Sequence, residues 1–220
     1  MYIVIKNIFK YKLTITLLSN IICSMKVNKK EIIETLILQN QGIIQIADIT
    51  AKGISKQYAI KYLQDHGFER VAKGIYLEPD AWQDELYILS LQYKQIVYSH
   101  DTALYLLGLS EREPLCFTVT VPRGYKVNYN GQSNIRKVTT VEEYYSLGID
   151  TAATPFGHTV PCYNAERTLC DLFRADMETQ EKQFAVKEYL RGKKNLPRLM
   201  EYAKILRVEK RMRQYMEVLL

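Results

Sequence analysis

Between Asn28 and Leu77 the apolar positions first recur at intervals of three and four residues and then give way to a strand-like pattern. Ile32, Ile33, Leu36 and Ile37 fall on one side of a helix that Asn28 caps, with Glu31 three residues on completing an Asx form of the capping box. This helix ends near Asn40-Gln-Gly42. Ile43 to Lys52 predicts a second helix with Ile46, Ala47 and Ile49 turned inward, closed by Gly53. Ser55 then caps a third helix that Gly67 ends, with Ala59, Tyr62 and Leu63 on its packing side. Phe68 to Leu77 reads as a hairpin turning at Ala72-Lys73-Gly74. Three helices followed by a hairpin is the order of a winged helix-turn-helix, whose third helix enters a DNA major groove.

The polar side of that third helix changes the picture from fold to chemistry. Gln57, Lys61 and Gln64 share it, Lys56 flanks it, and no acidic side chain interrupts it before Asp65. Gln57 can pair bidentately with adenine, while Lys56, Lys61, Arg70 and Lys73 can neutralise phosphates beside the groove. The predicted DNA-binding set is therefore Ser55, Lys56, Gln57, Lys61, Gln64, Arg70 and Lys73. The pattern alone is shared with domains that never meet nucleic acid, so the cationic outward face carries the functional weight.

Beyond the hairpin the pattern is mixed. Asp80 is expected to cap a helix bearing Trp82, Leu86 and Leu89, with the lone tryptophan in the core or at a domain junction. Gln95 to Ser99 reads as a strand, His100 to Leu107 as a helix and Cys116 to Pro122 as an alternating strand. Asn130-Gly131 signals a hairpin whose return strand is Asn134 to Thr140. A short helix over 141–147 and a strand over 158–163 complete the mixed stretch. From Asn164 the chain reads as helical throughout, with Leu169, Leu172 and Phe173 buried in the first helix and Met212, Tyr215, Met216 and Leu219 on one side of the last. The predicted fold class is α+β: a winged helix over 26–78, then 79–220 with a mixed part to 163 and a helical part after it.

Residues 1–25 stand apart. Lys6, Lys10 and Lys12 precede the apolar run Leu13 to Cys23, which resembles a signal peptide in outline but is broken by Ser19-Asn20 and is too short to span a bilayer. A start at Met25 leads directly into the capped first helix, so the preceding residues are expected to be an upstream extension or a disordered leader.

The net charge of +6 over 220 residues becomes informative only when divided. It is +3 over 1–25, +3 over 26–77, −7 over 78–181 and +7 over 182–220. Basic ends around an acidic middle fit a polyanion partner, and equally a basic helical tail lying on an acidic neighbour of its own chain. The four cysteines form no C-x-x-C pair and none is spaced with a histidine for zinc, which points away from a structural metal and towards a reducing, cytoplasmic setting. Ser99-His100-Asp101 holds triad residue types, but consecutive side chains diverge. No phosphate-binding glycine loop or acidic pair of the nucleotidyltransferase kind is present. Neither an enzyme nor a cofactor is expected.

Several stretches in order carry a family likeness: Gly53-Ile-Ser55, Arg70 to Tyr76, Tyr98-Ser-His-Asp-Thr-Ala-Leu104, Thr120-Val-Pro-Arg-Gly124, Glu166-Arg-Thr-Leu-Cys-Asp171 and Arg207 to Arg211. Together they make the chain resemble the AbiEi family of abortive-infection antitoxins, which act in type IV toxin-antitoxin systems and phage defence. Leu107 departs from the pattern, in which relatives tend to carry a histidine before Gly-Leu. The resemblance implies a cytoplasmic protein that binds double-stranded DNA at inverted repeats in its own promoter and represses its operon. It also implies neutralisation of a nucleotidyltransferase-like toxin with or without a stable complex, no membrane, and a monomer that pairs on DNA. Glu166, Arg167, Thr168 and Asp171 are the antitoxin residues it points to. The alternative is a stand-alone winged-helix regulator whose C-terminal domain senses a ligand or partner.

Overall fold

A computed structural model describes residues 28–127, 134–175, 179–192 and 194–219. The leader and the Asn130-Gly131 turn lie outside them. Contacts divide the chain into two compact units, one running to Arg70 and including Tyr76–Ala81, the other comprising Val71–Ile75 and the chain from Trp82 onward.

The first unit opens with α1 (Lys29–Gln39), capped by Asn28, whose side chain accepts from the Lys30 N–H. Next come β1 (Ile43–Gln45), α2 (Ile46–Ala51) and α3 (Lys56–Asp65); the hairpin strands β2 (Glu69–Ala72) and β3 (Ile75–Leu77) follow, with Val71–Ile75 grouping with the second unit. The three strands form a sheet in the order β1-β3-β2. Ile33, Ile37, Ile49, Ala59 and Leu63 pack into one apolar cluster, so the three helices share a core. Helices, corner and ribbon make this a winged helix-turn-helix. One element differs from expectation: Ile43–Gln45 is a strand, not the first turn of a helix. Ile43 and Ile44 are both buried and β-branched, which suits a strand with neighbours on either face, and the helix begins only when the chain leaves the sheet.

In the second unit α4 (Glu85–Gln92), β4 (Val97–Tyr98), α5 (His100–Leu106), β5 (Phe117–Pro122), β6 (Ile135–Thr140), α6 (Glu142–Tyr145), β7 (Ile149–Ala153) and β8 (Thr159–Tyr163) precede four helices: α7 (Ala165–Arg174), α8 (Thr179–Arg191), α9 (Leu196–Ile205) and α10 (Glu209–Leu219). The five-stranded sheet has the order β6-β5-β4-β8-β7. Leu86, Ile96, Tyr98, Val119, Val121 and Val160 build its core, while Leu169, Leu172, Val186, Leu199 and Met212 unite the C-terminal helices around α7. A mixed α/β middle thus leads into an all-helical end.

Three expectations are corrected here. The helix of Leu86 and Leu89 starts at Glu85, because Asp84 and not Asp80 supplies the cap, its Oδ1 accepting from the Tyr87 N–H at 3.0 Å. Trp82 therefore precedes the helix and is 78% exposed, outside any core; of the two places expected for it, the domain junction is the one observed, since the second unit resumes at Trp82. The strand after the turn region runs parallel to β5, in register from Phe117 with Ile135 to Pro122 with Thr140, where a hairpin requires an antiparallel return.

Candidate nucleic-acid interface

Helix α3 is positioned by its ends. At the corner before it Gly53 has φ +80°, a left-handed conformation that side chains with a Cβ adopt only at a cost. Ser55 Oγ accepts from the Tyr58 N–H at 3.4 Å, and past the far end the Phe68 N–H donates to Leu63 O at 2.9 Å. Ala59 and Leu63 are fully buried and Tyr62 nearly so, which fixes the rotation of the helix about its axis. The Tyr62 hydroxyl donates to Glu34 Oε1 at 3.4 Å, and its ring stacks on His66 with centroids 4.0 Å apart.

With that rotation fixed, the opposite side faces water. Lys56, Gln57, Lys61 and Gln64 are all exposed, and so is the capping Ser55. The structure brings these five together on one helix. Arg70 on β2 and Lys73 at the ribbon turn are exposed as well, on the hairpin that follows. Two further residues of this surface escaped the sequence reading. Tyr58 is 40% exposed on α3, and Lys29 Nζ, from α1, sits 5.5 Å from the centre of its ring. A contact spanning that much chain leaves no local signature. The surface offers amide hydrogen-bonding groups for base edges between ammonium groups for phosphates, a chemistry suited to duplex DNA.

The second predicted set behaves differently. Glu166, Arg167, Thr168 and Asp171 all lie on α7 and are all buried, at 6%, 2%, 0% and 3% exposure. Arg167 Nε donates to Asp171 Oδ2 at 2.9 Å, and its Nη1 donates to the carbonyls of Tyr144 and Leu147, the latter at 2.9 Å. The guanidinium lies 4.3 Å from the centre of the Tyr163 ring. Gly148 leaves the room for this, since a Cβ there would meet the Arg167 Cβ at 2.7 Å. Glu166 Oε1 accepts from the Tyr189 hydroxyl at 3.0 Å, and that hydroxyl accepts from the Asn195 N–H at 2.8 Å, linking α7 to the start of α9. The Thr168 hydroxyl donates to Tyr163 O at 3.3 Å. The arrangement is an internal brace between helices, sheet and the 144–147 turn.

A further group of polar side chains surrounds the start of α5. Ser99 Oγ lies 3.1 Å from His100 Nδ1 and accepts from the Thr120 hydroxyl at 2.8 Å, while Asp101 Oδ1 has no hydrogen-bond partner. Burial pushes the His100 pKa below its ordinary value, with Asp171 and Asp101 opposing and Arg136 and Arg167 adding to the effect. Burial also pushes the thiols of Cys162 and Cys170 up to about 12, which leaves them unreactive at neutral pH. Among the described residues no cluster of three or more histidines, cysteines and carboxylates could hold a metal ion, and no helix is long and apolar enough to cross a membrane.

Residues 28–112 match the family described as "Transcriptional regulator, AbiEi antitoxin N-terminal domain". No curated protein matches the chain. Among solved structures, the RV2827C protein from Mycobacterium tuberculosis is similar over 80% of this chain and 75% of that one, with 14% sequence identity and a TM-score of 0.45.

Proposed function

We propose that this chain represses its own operon by binding inverted repeats in the promoter and neutralises a nucleotidyltransferase-like toxin, a reading supported by the match of residues 28–112 to the AbiEi antitoxin N-terminal domain of transcriptional regulators. Residues 26–78 are the DNA-binding domain in this reading, and 79–220 the antitoxin domain. Helix α3 lies in the major groove, with Gln57 and Gln64 towards base edges and Lys56 and Lys61 towards phosphates. Arg70 and Lys73 follow the backbone from the ribbon. The action on the toxin is non-enzymatic.

One observation carries the DNA half: the packing of Ala59, Tyr62 and Leu63 leaves Lys56, Gln57, Lys61 and Gln64 exposed together on the opposite side of α3. The test is fluorescence anisotropy on a duplex from the chain's own promoter and on an unrelated duplex, across a salt series. Lys61→Ala weakens both complexes alike and lowers the salt slope by about one, since it removes one phosphate contact. Gln57→Ala costs about 1–3 kcal/mol on the promoter duplex only. Unchanged affinity for both variants removes α3 from the interface.

A further inference from the structure

The second unit contains a cavity of about 290 Å³ that the DNA reading does not use. It opens between the start of α4, Tyr105 of α5, the 113–114 segment, the start of β5 and the loop at Phe156. Small-molecule sites run to about 300–1,000 Å³, so this one sits at the lower end of that range and has room for one long side chain. Its apolar wall combines the aromatic rings of Tyr105, Phe117 and Phe156 with Leu86, Pro114 and Pro155. Its polar wall is acidic, with Asp84, Glu85 and Glu113, and none of its lining residues is a lysine, arginine or histidine.

The three carboxylates are not equivalent. Asp84 is 1% exposed and already engaged, Oδ2 accepting from His158 Nδ1 at 2.8 Å and from the Thr154 hydroxyl at 2.5 Å. Glu85 and Glu113 are exposed and open to a newcomer. The nearest cation along the chain, Arg112, pairs instead with Glu181 at 3.6 Å. Around the mouth the surface is unusually apolar. Trp82, 78% exposed, stacks on Phe156 with centroids 6.3 Å apart, and Leu115, next to the lining Pro114, is 83% exposed. Isolated exposed apolar residues mean little, but here large ones border a concave acidic site.

From this charge and shape complementarity we propose that the cavity receives an arginine side chain of a partner protein, presented in a segment where apolar residues flank the arginine. The guanidinium stacks on the aromatic wall and pairs with Glu85 and Glu113, a combination that an ammonium or a neutral amide satisfies less well. Trp82 and Leu115 cover the flanking apolar residues, which is why a protein segment suits the site better than a free cation. This proposal does not depend on α3 binding DNA.

Trp82 is the chain's single tryptophan and reports on the site directly. The full chain is titrated with the capped peptide acetyl-Leu-Arg-Leu-amide, with its citrulline counterpart, and with acetyl-arginine amide, following tryptophan emission. The arginine peptide gives a saturable change, and the citrulline peptide binds at least about tenfold more weakly because the charge is gone while the shape remains. Glu85→Gln with Glu113→Gln abolishes that preference, with circular dichroism unchanged because both side chains are at the surface. Equal binding of the arginine and citrulline peptides, no saturable response to either, or a preference that survives the double substitution overturns the proposal. Acetyl-arginine amide binding as tightly as the peptide makes the ligand a small cation and overturns the protein partner. Self-association in sedimentation that the double substitution removes replaces that partner with a second copy of this chain.

Discussion

A guanidinium that is 2% exposed is tolerable only where every face of it has a partner, and Arg167 meets that condition through Asp171, the carbonyls of Tyr144 and Leu147, and the Tyr163 ring. Removing it leaves the buried Asp171 carboxylate with only Arg174 as countercharge, 3.9 Å away on a side chain that is 41% exposed. Arg167→Ala should therefore cost about 3–5 kcal/mol of stability, read as a lower urea midpoint. Arg167→Met with Asp171→Leu recovers part of this, because no charge is stranded, but two carbonyls still lose their donor. The same variants test the role that the family resemblance assigns to these residues. Rescue from the toxin that fails on warming and returns on cooling makes the brace structural; rescue that fails at every temperature at which the variant is folded makes it part of the antitoxin surface. His100 offers a second residue-scale test. It has φ +51° and burial lowers its pKa, so the unfolded chain, with the ordinary value near 6.5, binds the proton more readily than the folded one. Stability from this group is complete above that value and is lost as pH falls below it towards the folded pKa. Wild type should lose more of its urea midpoint between about pH 7.5 and about pH 5.5 than His100→Asn, a residue that tolerates the left-handed backbone. Identical losses would mean that His100 takes no part in acid sensitivity.

At the scale of elements, legibility followed burial. Helix α3 was readable because its cap, its end glycine and three inward residues at helical spacing all agree, and α7 was readable from Asn164 and its apolar side in the same way. Strand direction was not. Ile135–Thr140 alternates identically whether it runs with β5 or against it, since a period of two carries no sense of direction. Ile149–Ala153 escaped notice as a strand because Ala152 is its one buried residue, which leaves an edge strand without alternation. At Trp82 a helical spacing to Leu86 and Leu89 was genuine but irrelevant, as Asp84 starts the helix two residues later. The candidate interface divided along the same line. Exposure of Lys56, Gln57, Lys61 and Gln64 followed from what α3 buries, whereas the approach of Lys29 to Tyr58 depends on how α1 packs and no local pattern encodes it.

For the molecule as a whole, the proposed functions occupy different stretches of chain, and so they should be separable. Deleting residues 26–78 is a blunt way to show this, because Val71–Ile75 groups with the second unit and the deletion removes it too. Substituting Lys56, Gln57 and Lys61 together by alanine is cleaner: all three are exposed, and such surface changes usually alter stability by no more than about 0.5 kcal/mol. In cells given a nucleotidyltransferase-like toxin gene as the proposed partner, this variant should lose repression of a promoter fusion while still preventing growth arrest. Charge supports the separation. The segment 78–181 carries −7, a poor surface for a polyanion, whereas 182–220 carries +7 and could add its own non-specific attraction to DNA. Residual binding by the triple variant should then be insensitive to sequence and collapse steeply with salt, as phosphate contacts alone do. If rescue disappears along with repression while the variant stays folded, the two activities share the surface of α3, and toxin neutralisation must itself pass through DNA.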